Sequence, residues 1–256
     1  MWSLGDYSRV AQVLEPHAQA LADACAIEPG MSVLDVAAGN GNFALAAARR
    51  GASVTATDIT PHMVELGQAR TAAAGLTIGW SEADAEQLSF ADASFDVVAS
   101  VFGAMFAPQP QLVAAEMFRV AKAGGLVAMA NYSPGGYLGK LSQLLATFSA
   151  RADFDLPWPF LWGDELEVRN RFGEHSHSID VIHRTLHFES ASIDAFVDFW
   201  QATNAPQAAL KAMMPPETYQ KVLDAQTQLI EELNESTHGR VELSSPYILV
   251  LARKPM

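Results

Sequence analysis

The segment Val33-Leu34-Asp35-Val36-Ala37-Ala38-Gly39-Asn40-Gly41-Asn42 constrains the fold more than any other part of this 256-residue chain. It reads as a short buried strand ending in a carboxylate, then a glycine-spaced turn, then the start of a helix. A parallel strand covered on both faces is apolar, as Val33, Leu34 and Val36 are. Asp35 breaks that pattern and needs a reason, because an unpaired buried carboxylate is expensive. Gly39 and Gly41 let the backbone come closer to a ligand than a Cβ would allow.

The rest of the first half repeats the strand–helix unit. Residues 7–24 carry Val10, Val13, Leu14, His17 and Leu21 at helical spacing, which predicts one or two amphipathic helices before the first strand at 32–36. A helix follows from Asn42 to Gly51. The second strand, Ser53 to Thr57, ends at Asp58, and Thr60-Pro61 opens a helix that stops near Gly75. The third strand, Leu76 to Ser81, ends close to Asp84. A fourth, Phe95 to Val101, leads to a helix around 109–121, which Gly124-Gly125 closes before a fifth strand at Leu126 to Ala130. This alternation predicts a doubly wound, parallel α/β sheet.

After Asn131 the rhythm changes. Residues 136–172 look helical and aromatic-rich, with Phe154, Trp158, Phe160 and Trp162 close together. Ser178 to Phe188 alternates as a strand does, 191–235 looks helical, and Tyr247 to Ala252 forms a last strand. The expected organisation is one domain over residues 1–256. Its core lies at 30–135, 178–190 and 245–254, with helical cap insertions at 136–177 and 191–240 and an N-terminal lid helix within 1–28.

Composition narrows the function classes. The formal net charge is −13, and the adjacent basic pairs are Arg49-Arg50 and Arg253-Lys254. A surface so negative repels phosphate backbones, so neither nucleic acid nor an anionic membrane is an expected partner. The single cysteine, Cys25, excludes an intrachain disulfide and a multi-cysteine metal site. The N-terminus has neither the basic region nor the apolar run of a signal peptide. The longest apolar stretch, Val97 to Ala107, is too short to span a bilayer. A cytoplasmic location is the expectation.

In a doubly wound sheet, ligands bind at the carboxyl ends of the strands near the switch point. Three neighbouring strand ends carry Asp35, Asp58 and Asp84. Asp58 lies roughly 20 residues beyond the glycine turn, the spacing of a carboxylate that accepts from ribose hydroxyls. The pattern resembles the class I S-adenosylmethionine-dependent methyltransferases, in the small-molecule branch near the ubiquinone/menaquinone C-methyltransferases. The family's acidic-x-Gly-x-Gly-x-Gly motif falls on Asp35, Ala37, Gly39 and Gly41. Its second and third acids fall on Asp58 and on Asp84 within Glu82-Ala83-Asp84-Ala85-Glu86. Leu88 to Val98 and Glu116 to Gly125 are similar to its leads into strands four and five. Ala37 replaces the motif's first glycine, which needs only a little more room provided φ is negative there.

The resemblance implies a Rossmann-like methyltransferase sheet, mostly parallel with an antiparallel final strand, and helical insertions that cap the substrate. It implies S-adenosylmethionine as cofactor, leaving S-adenosylhomocysteine as product. Asp35 would face the methionine ammonium, and Ala37, Gly39 and Gly41 would form the close-approach turn. Asp58 would hold the ribose, Ile59 and Met63 would pack on adenine, and Asp84 with the Ala85 amide would read its edge. The Ser100 backbone would reach the amino group. The rival cofactor is NAD, since Gly39 to Ala44 also fits G-x-G-x-x-A. A doubly anionic pyrophosphate beside Asp35 would be uncompensated, however. A non-catalytic S-adenosylmethionine-binding regulator is a further alternative.

The expected acceptor is a small, apolar or aromatic molecule. Tyr7, Phe102, Met105, Tyr132 and Trp162 are the candidate pocket residues, with ordinary core packing as the alternative for each aromatic. His62, His175, His177, His183 and His187 all have solvated or sheet-pairing readings, so no catalytic base is assigned. No metal site is expected, because only Asn131 stands where an acidic pair after strand five would be needed.

Overall fold

Short apolar segments alternate with amphipathic ones, and the chain folds accordingly into a layered sheet. The structure, a computed structural model, describes residues 7–148 and 157–256. In chain order the first half runs α1 (Tyr7–Ala24), β1 (Ser32–Val36), α2 (Asn42–Arg49), β2 (Ser53–Asp58), α3 (Pro61–Ala73), β3 (Ile78–Glu82), β4 (Phe95–Val101), α4 (Pro110–Val120) and β5 (Ala121–Tyr132). The second half runs α5 (Gly136–Phe148), α6 (Glu165–Phe172), β6 (Ser178–Ser190), α7 (Ile193–Thr203), α8 (Ala205–Met213), α9 (Pro216–Leu233) and β7 (Val241–Arg253). Single 3-10 turns occupy Ala104–Phe106 and Pro159–Gly163.

The strands form one seven-stranded sheet in the order β3-β2-β1-β4-β5-β7-β6. β1 pairs in parallel with β2 and β4, β2 with β3, and β4 with β5. The order reverses between β1 and β4, so the switch point lies where the glycine turn leaves β1. The last strands run antiparallel. Gly124 N–H donates to Pro255 O (3.1 Å) and Lys254 N–H to Gly125 O (2.9 Å), pairs that advance in opposite directions along the two segments. β5 starts five residues earlier than the sequence predicts. The Gly124-Gly125 pair sits inside it and shifts its register against β4 instead of ending a helix.

The chain divides into two compact units. One comprises Val13–Asn131, Leu156–His183 and Ile248–Met256; the other comprises Met1–Gln12, Tyr132–Asp155 and Arg184–Tyr247. The first holds β1 to β4 and nearly all of β5. The buried Cys25 packs there, and burial pushes its thiol up to about 12. In the second unit Tyr137, Phe188, Phe196 and Trp200 pack at tilted or edge-on angles, with centroids 5.3 to 6.3 Å apart. Gln207 Nε2 donates there to Gln226 Oε1 (2.7 Å), whose Nε2 donates to the Tyr137 hydroxyl (2.9 Å). No helix among the described residues is long and apolar enough to cross a membrane.

Trp80 on β3 is the main brace beneath the switch point. Its indole N–H donates to Thr71 Oγ1 (3.0 Å), and its ring lies flush against Gly67 of α3. A Cβ at Gly67 would meet that ring at 2.1 Å. Gly67→Ala is therefore expected to lower unfolding free energy by about 1–3 kcal/mol through overpacking, despite alanine's better helix propensity. A urea titration checks this. An unchanged or raised midpoint would mean that the ring yields freely.

Candidate functional site

The site is built where β1 and β2 end. Asp35 is 1% exposed and its carboxylate meets the start of α2, where Oδ2 accepts the Ala44 N–H at 2.9 Å. Gly41, at the N-cap, offers that helix no side chain, so Asp35 caps it from the neighbouring strand. Its other oxygen, Oδ1, is buried without a hydrogen-bond partner. Burial pushes the Asp35 carboxyl from 3.8 to about 8; the Ala44 N–H opposes the rise and the nearby Asp58 adds to it.

Asp58 organises the turn itself. Its Oδ2 accepts the Gly39 N–H (2.9 Å) and its Oδ1 accepts the Thr60 N–H (2.9 Å), tying the glycine turn to the entry of α3. Ala38 N–H donates to Thr57 O (2.8 Å) and Gly41 N–H to Ala38 O (2.9 Å). Burial raises the Asp58 carboxyl too, against those two N–H donors. Each carboxylate oxygen keeps lone-pair capacity beyond these bonds.

The turn is left-handed at three positions: Ala37 (φ 53°), Gly39 (φ 56°) and Gly41 (φ 89°). The negative φ expected for Ala37 is thus corrected. Alanine occupies here the backbone region that the motif's glycine would take without strain. Phe102, just past β4, is also left-handed (φ 54°), and a Cβ at the next residue, Gly103, would lie 2.2 Å from Ala37 O. Two strained residues therefore face each other across the switch point, the arrangement that functional sites hold in place through surrounding structure.

The remaining candidate residues fall around this turn. Ile59 is 53% exposed and Met63 is buried at the start of α3. Asp84 is exposed; its Oδ1 accepts the Glu86 N–H (2.9 Å), and Ala85 beside it is buried. Ser100 is fully buried on β4, where its Oγ accepts the Ala104 N–H (3.0 Å) and sets the 3-10 turn carrying Met105. The candidate pocket set divides. Phe102 and Met105 are buried at the end of β4. Trp162 is also buried, with the Arg171 guanidinium 4.5 Å from its ring and Phe172 5.7 Å away. Tyr132 belongs to the other unit. Tyr7 opens α1, but its side chain lies outside the described residues, as does Phe154. Among the histidines, His175 stacks on Phe118 (5.5 Å), His183 meets Glu165 (3.5 Å) and His187 meets Ser244 (3.2 Å).

Sequence reasoning missed the braces. Arg70 at the end of α3 donates to Asn40 O (3.0 Å), Asn40 Oδ1 (2.7 Å) and Asn42 Oδ1 (2.8 Å), clamping the turn from beneath. Trp80 packs under Gly41, where a Cβ would come within 2.8 Å of its ring. Glu116 and Arg119 on α4 hold the loop after β3: Glu116 accepts the Leu88 N–H (2.7 Å), and Arg119 donates to Leu88 O and Phe90 O (2.7 Å each). The segment Glu116 to Gly125 stands out in the sequence, but the loop it grips does not.

The donor set fits a cation better than an anion. No ion pair among the described residues involves Asp35, Asp58 or Asp84. A pyrophosphate there would meet carboxylates without a balancing base, whereas an ammonium would donate to Asp35 Oδ1 and a sulfonium would bring favourable charge to the acidic site. No group of three or more metal-ligating side chains is placed to hold a metal ion among the described residues.

In a doubly wound sheet, acids at these strand ends stand where ligands bind. Residues 34–129 match the methyltransferase domain family. An uncharacterised protein of Mycobacterium tuberculosis is 43% identical over 180 residues, covering 70% of this chain and 66% of that relative's length. The ubiquinone/menaquinone biosynthesis C-methyltransferase of Bordetella avium is 38% identical over 110 residues, 42% of this chain and 43% of that protein. The Haemonchus contortus phosphoethanolamine N-methyltransferase 2 shares the fold, with TM-score 0.59 and 16% identity over 94% of this chain and 53% of its own.

The raised Asp35 carboxyl has a stability consequence. The folded protein holds a proton up to about pH 8 that the unfolded chain releases near 3.8. Ligand-free stability therefore falls as pH rises through that window and levels off above it. Asp35→Asn is expected to remove this slope, so its advantage over the wild type grows with pH by at most about 1.4 kcal/mol per unit. Urea midpoints at pH 5, 6, 7 and 8 read it out. Parallel profiles for the two proteins would contradict it.

Proposed function

We propose that this chain transfers a methyl group from S-adenosylmethionine to a small, apolar or aromatic acceptor. The observation that carries the reading is the buried, unpartnered Oδ1 of Asp35 beside a strained glycine turn, in a site with no cationic side chain paired to its acids. When bound, S-adenosylmethionine supplies a methyl group made electrophilic by a sulfonium. Its charge suits an acidic site, and it brings no phosphate.

In this reading Asp35 holds the methionine ammonium, and Ala37, Gly39 and Gly41 present bare backbone to the ligand. Asp58 accepts from the ribose hydroxyls with the lone pairs that Gly39 and Thr60 leave over. The exposed Ile59 and the buried Met63 give adenine an apolar surface, Asp84 and the Ala85 N–H read its edge, and the Ser100 backbone meets the amino group. Methyl transfer needs an in-line acceptor and exclusion of water more than a side-chain base, so we assign no catalytic base. Phe102 and Met105 are the pocket residues we retain first, with Trp162 behind them. Tyr7 and Tyr132, and the cap role of residues 136–177 and 191–240, rest on the sequence. We place the protein in the cytoplasm, with neither nucleic acid nor membrane as a partner.

The relatives' names differ in the atom methylated, carbon in one and nitrogen in another, so the test covers carbon, nitrogen and oxygen acceptors. Incubation with S-adenosylmethionine and a metabolite panel should yield S-adenosylhomocysteine and a product heavier by one methylene. No turnover across a broad panel, despite cofactor binding, would favour a non-catalytic binding protein. Asp58→Ala is expected to weaken S-adenosylmethionine binding by about 1–3 kcal/mol, as loss of bonds to a charged group does. Unchanged affinity would remove Asp58 from the site.

A further inference from the structure

Asp35 is not the only unsatisfied polar group at the carboxyl edge of the sheet. Asn131, one residue from the end of β5, is 0% exposed, and neither its Oδ1 nor its Nδ2 has a hydrogen-bond partner. A fully buried carboxamide with both ends unmet is rare in a folded protein and calls for an explanation, because both groups forgo water without compensation.

Its position supplies one. The β4–β5 register pairs Ser100 with Met129 and Val101 with Ala130, and Phe102 N–H continues the ladder onto Ala130 O (2.9 Å). Asn131 is thus the first β5 residue beyond the paired register. By strand alternation it shares a face with Met129 and Ser100, whereas Asp35 shares the opposite face with Ala99. Two orphaned groups therefore stand at one sheet edge on opposite faces, one suited to a cation and one to a neutral polar group. The elements around the end of β4 are apolar. Phe102 and Met105 are buried, and the turn at 104–106 packs on that at 159–163, with Phe106 and Phe160 rings 6.5 Å apart.

We infer that Asn131 binds the acceptor, receiving a neutral group that both donates and accepts a hydrogen bond. A carboxamide presents one acceptor oxygen and two N–H donors in a plane. A hydroxyl, an enol or a lactam answers both ends at once. A carboxylate would leave Oδ1 unmet, and a hydrocarbon would leave both unmet. The inference rests on the methyltransferase reading and deepens it: the acceptor is a flat, apolar molecule bearing a neutral hydroxyl or lactam, fixed by Asn131 and not ionised by a base.

The test uses 2-pyridone, phenol and toluene as probes, followed by ligand-observed NMR on the full chain with and without saturating S-adenosylhomocysteine. Wild type should prefer 2-pyridone and phenol over toluene by about tenfold or more, since a site built for a polar group is left unpaired by its apolar analogue. Asn131→Leu should abolish that preference, keep S-adenosylhomocysteine affinity, and unfold at higher urea because an unmet buried amide has been removed. Asn131→Asp should weaken phenol binding less than Asn131→Leu does. Equal preference in wild type and Asn131→Leu, no preference in wild type, or a destabilised Asn131→Leu would overturn the inference. Failure of S-adenosylhomocysteine to bind wild type would overturn the cofactor reading alone, because the probe ratio is read without it as well.

Discussion

The fold around the site depends on what is done with one buried carboxylate. Asp35 caps α2 through Oδ2 and leaves Oδ1 without a partner. Capping alone would be served by a serine or asparagine on the turn, with no buried charge. A carboxylate is worth its desolvation only where a cation comes to meet it. The rise of its carboxyl to about 8 measures the same tension from the protein's side.

Everything nearby keeps that carboxylate and its turn in place. Asp58 fixes the turn from β2, Arg70 clamps it from α3, and Trp80 fills the space beneath Gly41. With so many restraints, Ala37 and Phe102 can hold left-handed backbone that would otherwise relax. On the α4 side, Glu116 and Arg119 grip residues 88–90, which follow Asp84 and Ala85. The site is thus braced on three sides, and a site preorganised in this way spends less binding energy on ordering itself.

Much of this was legible in the sequence because it follows local rules. Strand ends marked by Asp35, Asp58 and Asp84, the glycine spacing, and the Thr60-Pro61 helix start all lie within a few residues of what they determine. The parts that were not legible are long-range. Arg70 reaches the turn across roughly thirty residues of sequence, Trp80 across nearly forty, and nothing in their own neighbourhoods announces a partner. The sign of φ at Ala37 was hidden for another reason: it goes with the close approach of Gly103 beyond the paired ends of β1 and β4, against alanine's own preference. In the sequence Asn131 is only the wrong residue for a metal, since burial of both its amide atoms follows from the pairing of β4 and β5.

In the proposed function the strand-end acids select a cationic methyl donor over a dinucleotide. Calorimetric titration of the intact chain with S-adenosylmethionine and, separately, with NAD tests it most directly. Saturable one-site binding of S-adenosylmethionine and none of NAD is the expected result. Tight NAD binding without S-adenosylmethionine binding would contradict it.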